Sequence, residues 1–247
     1  MNDTLDLDIA AMKLSEEEKW GLQVYRNYSQ AFGEHRVKNF VEQASAFEPE
    51  VRLFEQVTSL VVSEEPRVLP VIASSYADDL LRDMFKREIA EGVPGGRSAL
   101  LSGFGPLARL SQRLQMAFAF SWLSKDLLIE FDHLRKIRND LSHNWDIALL
   151  ERRLNELIEE KQQPIEEQLG NDVRLPKNFH EWLSPIDRFR VRIVWMLGRL
   201  TYETCLWVPA VNAGIKPSDA LYGPNRPVML RAISAIALNA TKTITGI

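Results

Sequence analysis

The segment KDLLIEFDHLRKIRNDLSHNW, residues 125–145, decides the fold. At 100° per residue, its Leu127, Phe131, Leu134, Leu141 and Trp145 fall on one apolar stripe, and charged residues occupy most of the remaining circumference. This is the pattern of an amphipathic helix. Arg138 falls within about 20° of the stripe's centre. A guanidinium aimed at a core is costly unless it is paired. Asp79 and Asp83, on the helical stretch SSYADDLLRDMFKREI that also carries Ile72 and Tyr76 on the same face, are the candidate partners. In the sharper alternative, Arg138 lines a pocket and works with His143. The imidazole would take a proton from a ribose 2′-hydroxyl while the guanidinium stabilises phosphate charge, without a metal. A helix regular to residue 143 would turn that His some 140° from Arg138, so convergence requires the helix to end near Ser142.

The helical period extends outward in both directions, and no β-branched alternation marks a strand. Ser15 and Glu18 form a capping box opening a segment that runs to Pro49, with Gly33 as a candidate break. Helices are expected over about 51–62 and from Pro70 to about Ala90. Residues 91–106 hold five of the twelve glycines and two prolines, and read as a loop. Pro106 is expected to start a helix to about Leu123, Ser124 to cap one to about Ser142, and Asn144 or Asp146 to cap another ending near Lys161. After an irregular stretch over 162–184, Ser184, Pro185 and Asp187 announce a helix to about Trp207. A nearly uncharged tail helix begins at Val228. The expected organisation is an N-terminal helical extension over 1–50, a helical bundle over 51–207, and a C-terminal loop with an apolar tail helix over 208–247.

Composition is that of an ordinary globular protein. The 247 residues are 45% apolar and 26% charged, which excludes disordered and disulfide-scaffold classes. Thirty basic against 34 acidic residues give a net charge of -4, which argues against a chain that coats nucleic acid through a global positive field. A local patch remains open, since 20 of the basic residues are Arg. Arg109, Arg113, Arg135 and Lys136 are its candidates, beside the null case of a solvated, salt-bridged face. Cys205, the sole cysteine, sits in an apolar run and reads as an inert buried thiol in a reducing compartment. The acidic N-terminus and the lack of a long apolar run lead us to expect a cytoplasmic protein with no membrane span.

Family resemblance rests on the block SALLSGFGPLARLSQRLQMAFAFSWLSKDLLIEFDHLRKIRNDLSHN, residues 98–144, and on the later SPIDRFRVRIVWML. Together they resemble the mannitol operon repressor family over about Phe54 to Trp207. That family is similar in turn to the HEPN superfamily of helical bundles. In some members of that superfamily an Arg-Asn-x-x-x-His motif is a metal-independent ribonuclease site, and in others it is non-catalytic. Arg138, Asn139 and His143 match the motif. The resemblance implies an all-α, HEPN-like bundle acting in transcriptional regulation, with sites often completed across a homodimer.

No helix-turn-helix with a basic recognition face is visible, and with the acidic balance this favours indirect regulation through a protein partner or ligand over DNA recognition. His35, His133 and His180 lack partners at metal-ligand spacing. No phosphate loop, nucleophile elbow or zinc-protease motif is present, so neither metal nor cofactor is expected. The expected function is a non-enzymatic regulator, with a metal-independent ribonuclease as the alternative. A third reading is a ligand-sensing module whose pocket lies between the helices of Asp79 and Arg138.

Overall fold

The computed structural model describes residues 4–44, 47–142, 146, 148–149, 152, 174–177, 179–212 and 228–246. The expected helix ending near Lys161, most of the irregular stretch after it, and the loop before Val228 lie outside the described residues. Among the described residues the fold is all-α and contains no strand. In chain order the helices are α1 (Leu7–Ala10), α2 (Glu16–Ala44), α3 (Glu48–Ser63), α4 (Leu69–Glu88), α5 (Gly96–Leu101), α6 (Leu110–Ala119) and α7 (Lys125–Ser142). A 3-10 turn (Phe179–Trp182) precedes α8 (Pro185–Tyr202), which continues through a π-helical turn (Glu203–Trp207) into α9 (Val208–Asn212), and α10 (Val228–Thr245) closes the chain.

Local chemistry sets these boundaries. At the start of α2 the Ser15 backbone N–H donates to Glu18 Oε2 at 2.8 Å, and the Glu18 N–H donates to Ser15 Oγ at 3.3 Å, completing the capping box. Ser184 accepts from the Asp187 N–H at 3.1 Å in the same manner, and proline occupies the first turn of α3, α4 and α8. Helix α2 runs unbroken through Gly33, because a glycine in a helix interior costs only about 1 kcal/mol relative to alanine.

Residues 91–106 are not wholly a loop. Gly95 adopts a positive φ of 81° that turns the chain into the short helix α5. Gly105 then packs so tightly against this helix that a Cβ would lie 2.2 Å from the Ala99 carbonyl oxygen. Pro106 consequently belongs to this connection, and α6 begins at Leu110.

Helix α8 is the centre of the bundle and packs on α3, α4, α7 and α10. Its Gly198 allows Phe54 of α3 and Ile233 of α10 to approach closely; an added Cβ would meet them at 3.0 and 3.3 Å. Fully buried Phe54, Phe85, Phe131 and Phe179 anchor the core, each stabilising it by about 2–3 kcal/mol through removal of ring surface from water. The tail helix docks on its own bundle, where the Trp195 indole N–H donates to Thr241 Oγ1 at 2.8 Å. Among the described residues no helix is long and apolar enough to cross a membrane.

Candidate functional site

Helices α4, α6 and α7 pack against one another and leave between them an open cleft of about 520 Å³. Its apolar surface is Leu110 and Leu114 of α6 with Leu128 and Phe131 of α7. Around this surface lie Ser74, Ser111, Gln115 and Asn139 and the guanidinium groups of Arg109, Arg135 and Arg138. A shallower arm of the cleft reaches Asp78 and Asp79 while keeping Arg109 and Arg138 on its wall.

Of the arginines around the cleft, Arg113 enters the core. Its side chain is 1% exposed; it pairs with Asp78 and donates to the Leu107 carbonyl oxygen at 2.6 Å and the Leu101 carbonyl oxygen at 3.4 Å. It therefore ties α6 to α4 and to the α5–α6 connection, and it is removed from the expected anion patch. Arg138 is exposed. The buried face of α7 is Leu127, Glu130, Phe131, Leu134 and Ile137, and Arg138, about 100° round the helix from Ile137, falls on its cleft-facing edge beside Phe131 and Arg135. Arg138 stands at the cleft wall without a carboxylate partner among the described residues.

Other expected residues divide between cleft and surface. Asp79 lines the cleft but pairs with Arg82 at 3.3 Å, and Asp83 pairs with Lys86 at 2.9 Å on an exposed surface. Neither forms the expected tie to Arg138, because the helix's own arginine and lysine one turn along reach them first. Arg135 lines the cleft and pairs with Asp132 at 2.8 Å; Lys136 pairs with the same carboxylate at 3.1 Å. Asn139 is exposed at the cleft. His143 lies outside the described residues.

Two buried acid–base contacts are additions to the expected set. Arg192 of α8 donates to Glu130 Oε2 of α7 at 2.8 Å with side chains 7% and 3% exposed. Glu203, in the π-helical turn, accepts from Arg199 at 2.9 Å and from the Ser124 backbone N–H at 2.7 Å, so it caps α7 from the opposite helix. Arg113 and Glu130 each occupy a position inside an apolar stripe, Leu110/Arg113/Leu114/Ala117 and Leu127/Glu130/Phe131/Leu134, and that is the signal that could have found them. Cys205 is buried and its thiol is pushed up to about 12 by desolvation, as an inert core thiol should be.

His133 lies beside the Glu130–Arg192 pair. Burial, and then the Arg192 charge, hold its imidazole below the ordinary His range. The unfolded chain therefore binds the proton more readily, and stability falls as pH drops through the ordinary value near 6.5. Denaturant unfolding between pH 7 and pH 5 should show the wild type losing more stability than His133→Gln; parallel pH profiles would contradict this.

Among the described residues no cluster of His, Cys, Asp and Glu could hold a metal ion. Compared with protein-family models, with curated proteins and with solved structures, the chain has no match.

Proposed function

We propose that this protein is a non-enzymatic regulator of the mannitol-repressor type that binds a small anion in the cleft between α4, α6 and α7 and acts on transcription through a protein partner. One observation carries the binding step. Arg109, the N-cap residue of α6, and Arg138 of α7 line the same cleft, and neither has a carboxylate partner among the described residues. The nearby acids are already neutralised: Asp78 by Arg113 and Arg82, Asp79 by Arg82, and Asp132 by Arg135 and Lys136. The remaining field is positive and favours an anionic group, with the Ser111 hydroxyl and the Gln115 amide on the same lining.

Calorimetric titration with inorganic phosphate, citrate and a neutral polyol tests the reading. The anions should bind and the polyol should not. Arg109→Ala and Arg138→Ala should each weaken anion binding by about tenfold or more, the equivalent of one charge-assisted hydrogen bond. Equal binding by wild type and both variants would refute the cleft as the site.

The ribonuclease alternative draws support from the exposure of Arg138 and Asn139, since a catalytic pair must reach substrate. Cleavage of mixed RNA in the presence of a chelator, lost in His143→Ala, is its expected result. No cleavage, or cleavage unchanged in the variant, removes it.

A further inference from the structure

We infer that the ligand of this cleft is an amphipathic anion: an acidic head group held between Arg109 and Arg138, joined to an apolar body of about phenyl size that lies on the leucines further along. The inference rests on the anion reading above and adds the second half of the ligand. The cleft is sorted from end to end. Its α7 wall is one helical row, Leu128, Phe131, Arg135 and Arg138, with the apolar residues at the start and the arginines at the end. From Leu128 to Arg138 the helix rises about 15 Å. Residues 120–124 join α6 to α7, so the start of α6 lies toward the end of α7. Arg109 and Leu110 accordingly share the shallow arm with Arg138, whereas Leu114, Leu128 and Phe131 line the main body of the cleft and not the arm.

A bare anion uses only one end of this arrangement. Leu110 and Leu128 are partly buried against the core, and the surface they keep open faces the cleft. The volume of about 520 Å³ falls in the range of roughly 300–1,000 Å³ that encloses organic ligands. Between the two ends Asp132 is paired by Arg135 and Lys136, so no unpaired acid repels the head group and the Arg135 charge is already taken. One head group therefore suffices. A polyanion fits poorly, because beyond the two arginines the arm is lined by Asp78 and Asp79, which offer no cation to a second phosphate. The apolar body extends the other way, toward Leu114 and Leu128, where burial of its surface adds affinity that a neutral or fully polar solute lacks.

Calorimetric titration of the full chain with methyl phosphate, phenyl phosphate and phenol tests the inference, at about pH 8 where both esters are dianions. The wild type should bind phenyl phosphate about tenfold or more tighter than methyl phosphate, the effect of removing part of a ring's surface from water. Phenol, which lacks the head group, should bind at least about tenfold more weakly than phenyl phosphate. Leu128→Ser and Leu110→Ser should each reduce the ratio of the two ester affinities to about threefold or less, because each takes apolar surface from under the ring. Arg138→Ala should lower both esters by similar factors and keep their ratio. Equal binding of the two esters by the wild type would overturn the inference and leave the anion site standing, whereas binding of neither ester would remove both. Phenol bound as tightly as phenyl phosphate, or a ratio unmoved in both leucine variants, would also overturn it, since the ring would then lie elsewhere.

Discussion

Replacing Glu130 with alanine is expected to lower the unfolding free energy by about 3–5 kcal/mol, because it leaves the Arg192 guanidinium charged and unpaired inside the bundle. The two side chains share a single hydrogen bond of 2.8 Å. Glu130 Oε1 and Arg192 Nε have no hydrogen-bond partner among the described residues, so their attraction recovers only part of the cost of removing both charges from water. The double variant Glu130→Leu with Arg192→Met should therefore recover most of the lost stability, within about 1–2 kcal/mol of wild type. Denaturant midpoints at constant slope provide the measurement. A Glu130→Ala loss below about 1 kcal/mol, or a double variant as unstable as the single one, would contradict a buried pair at this position.

Arg113→Ala should cost about 3–4 kcal/mol for a different reason. This guanidinium pairs with Asp78 and also donates to the Leu101 and Leu107 carbonyl oxygens. Truncation leaves a cavity and two buried carbonyls without their donor, and it releases the connection between α5 and α6. Lysine cannot reproduce the forked geometry, so Arg113→Lys should recover less than half of the loss. Amide hydrogen exchange should locate the damage at residues 96–109, whereas a uniform change across the bundle, or none, would contradict the role assigned here. The variant also bears on the cleft: with Arg113 gone, Asp78 keeps only Arg82, the positive field beside Arg109 and Arg138 falls by one charge, and anion binding should weaken although neither arginine is changed.

The all-helical class was legible because neighbouring residues set each helix locally. Ser15 with Glu18 and Ser184 with Asp187 cap their helices as their spacing requires, and the apolar faces of α3, α4 and α8 repeat at helical period. Periodicity failed where the width of the packed stripe mattered. Arg113 and Arg138 both sit on apolar stripes, yet only Arg113 has α4 and the α5–α6 connection packed over it. The buried residues Leu127, Glu130, Leu134 and Ile137 centre the packed stripe of α7 to one side of Arg138, which shares the cleft edge with Phe131 and Arg135. An apolar pattern marks the face of a helix, not where around that face a neighbour's coverage stops. The pairing of Glu130 with Arg192 spans 62 residues and depends on how α7 and α8 lie together, which no single helix encodes. Gly105 illustrates the same limit: its count within a glycine-rich stretch predicted a loop, whereas its close approach to Ala99 serves a short helix.

Anion binding in the cleft between α4, α6 and α7 is tested most directly by arginine side-chain NMR. Nε–Hε resonances assigned by single substitution should respond to added inorganic phosphate in a residue-specific manner. The signals of Arg109 and Arg138 should shift together and saturate along one binding curve, while those of the core residues Arg113 and Arg192 remain in place. Unmoved Arg109 and Arg138 signals, or a uniform drift of all arginines without saturation, would contradict an anion site between α4, α6 and α7.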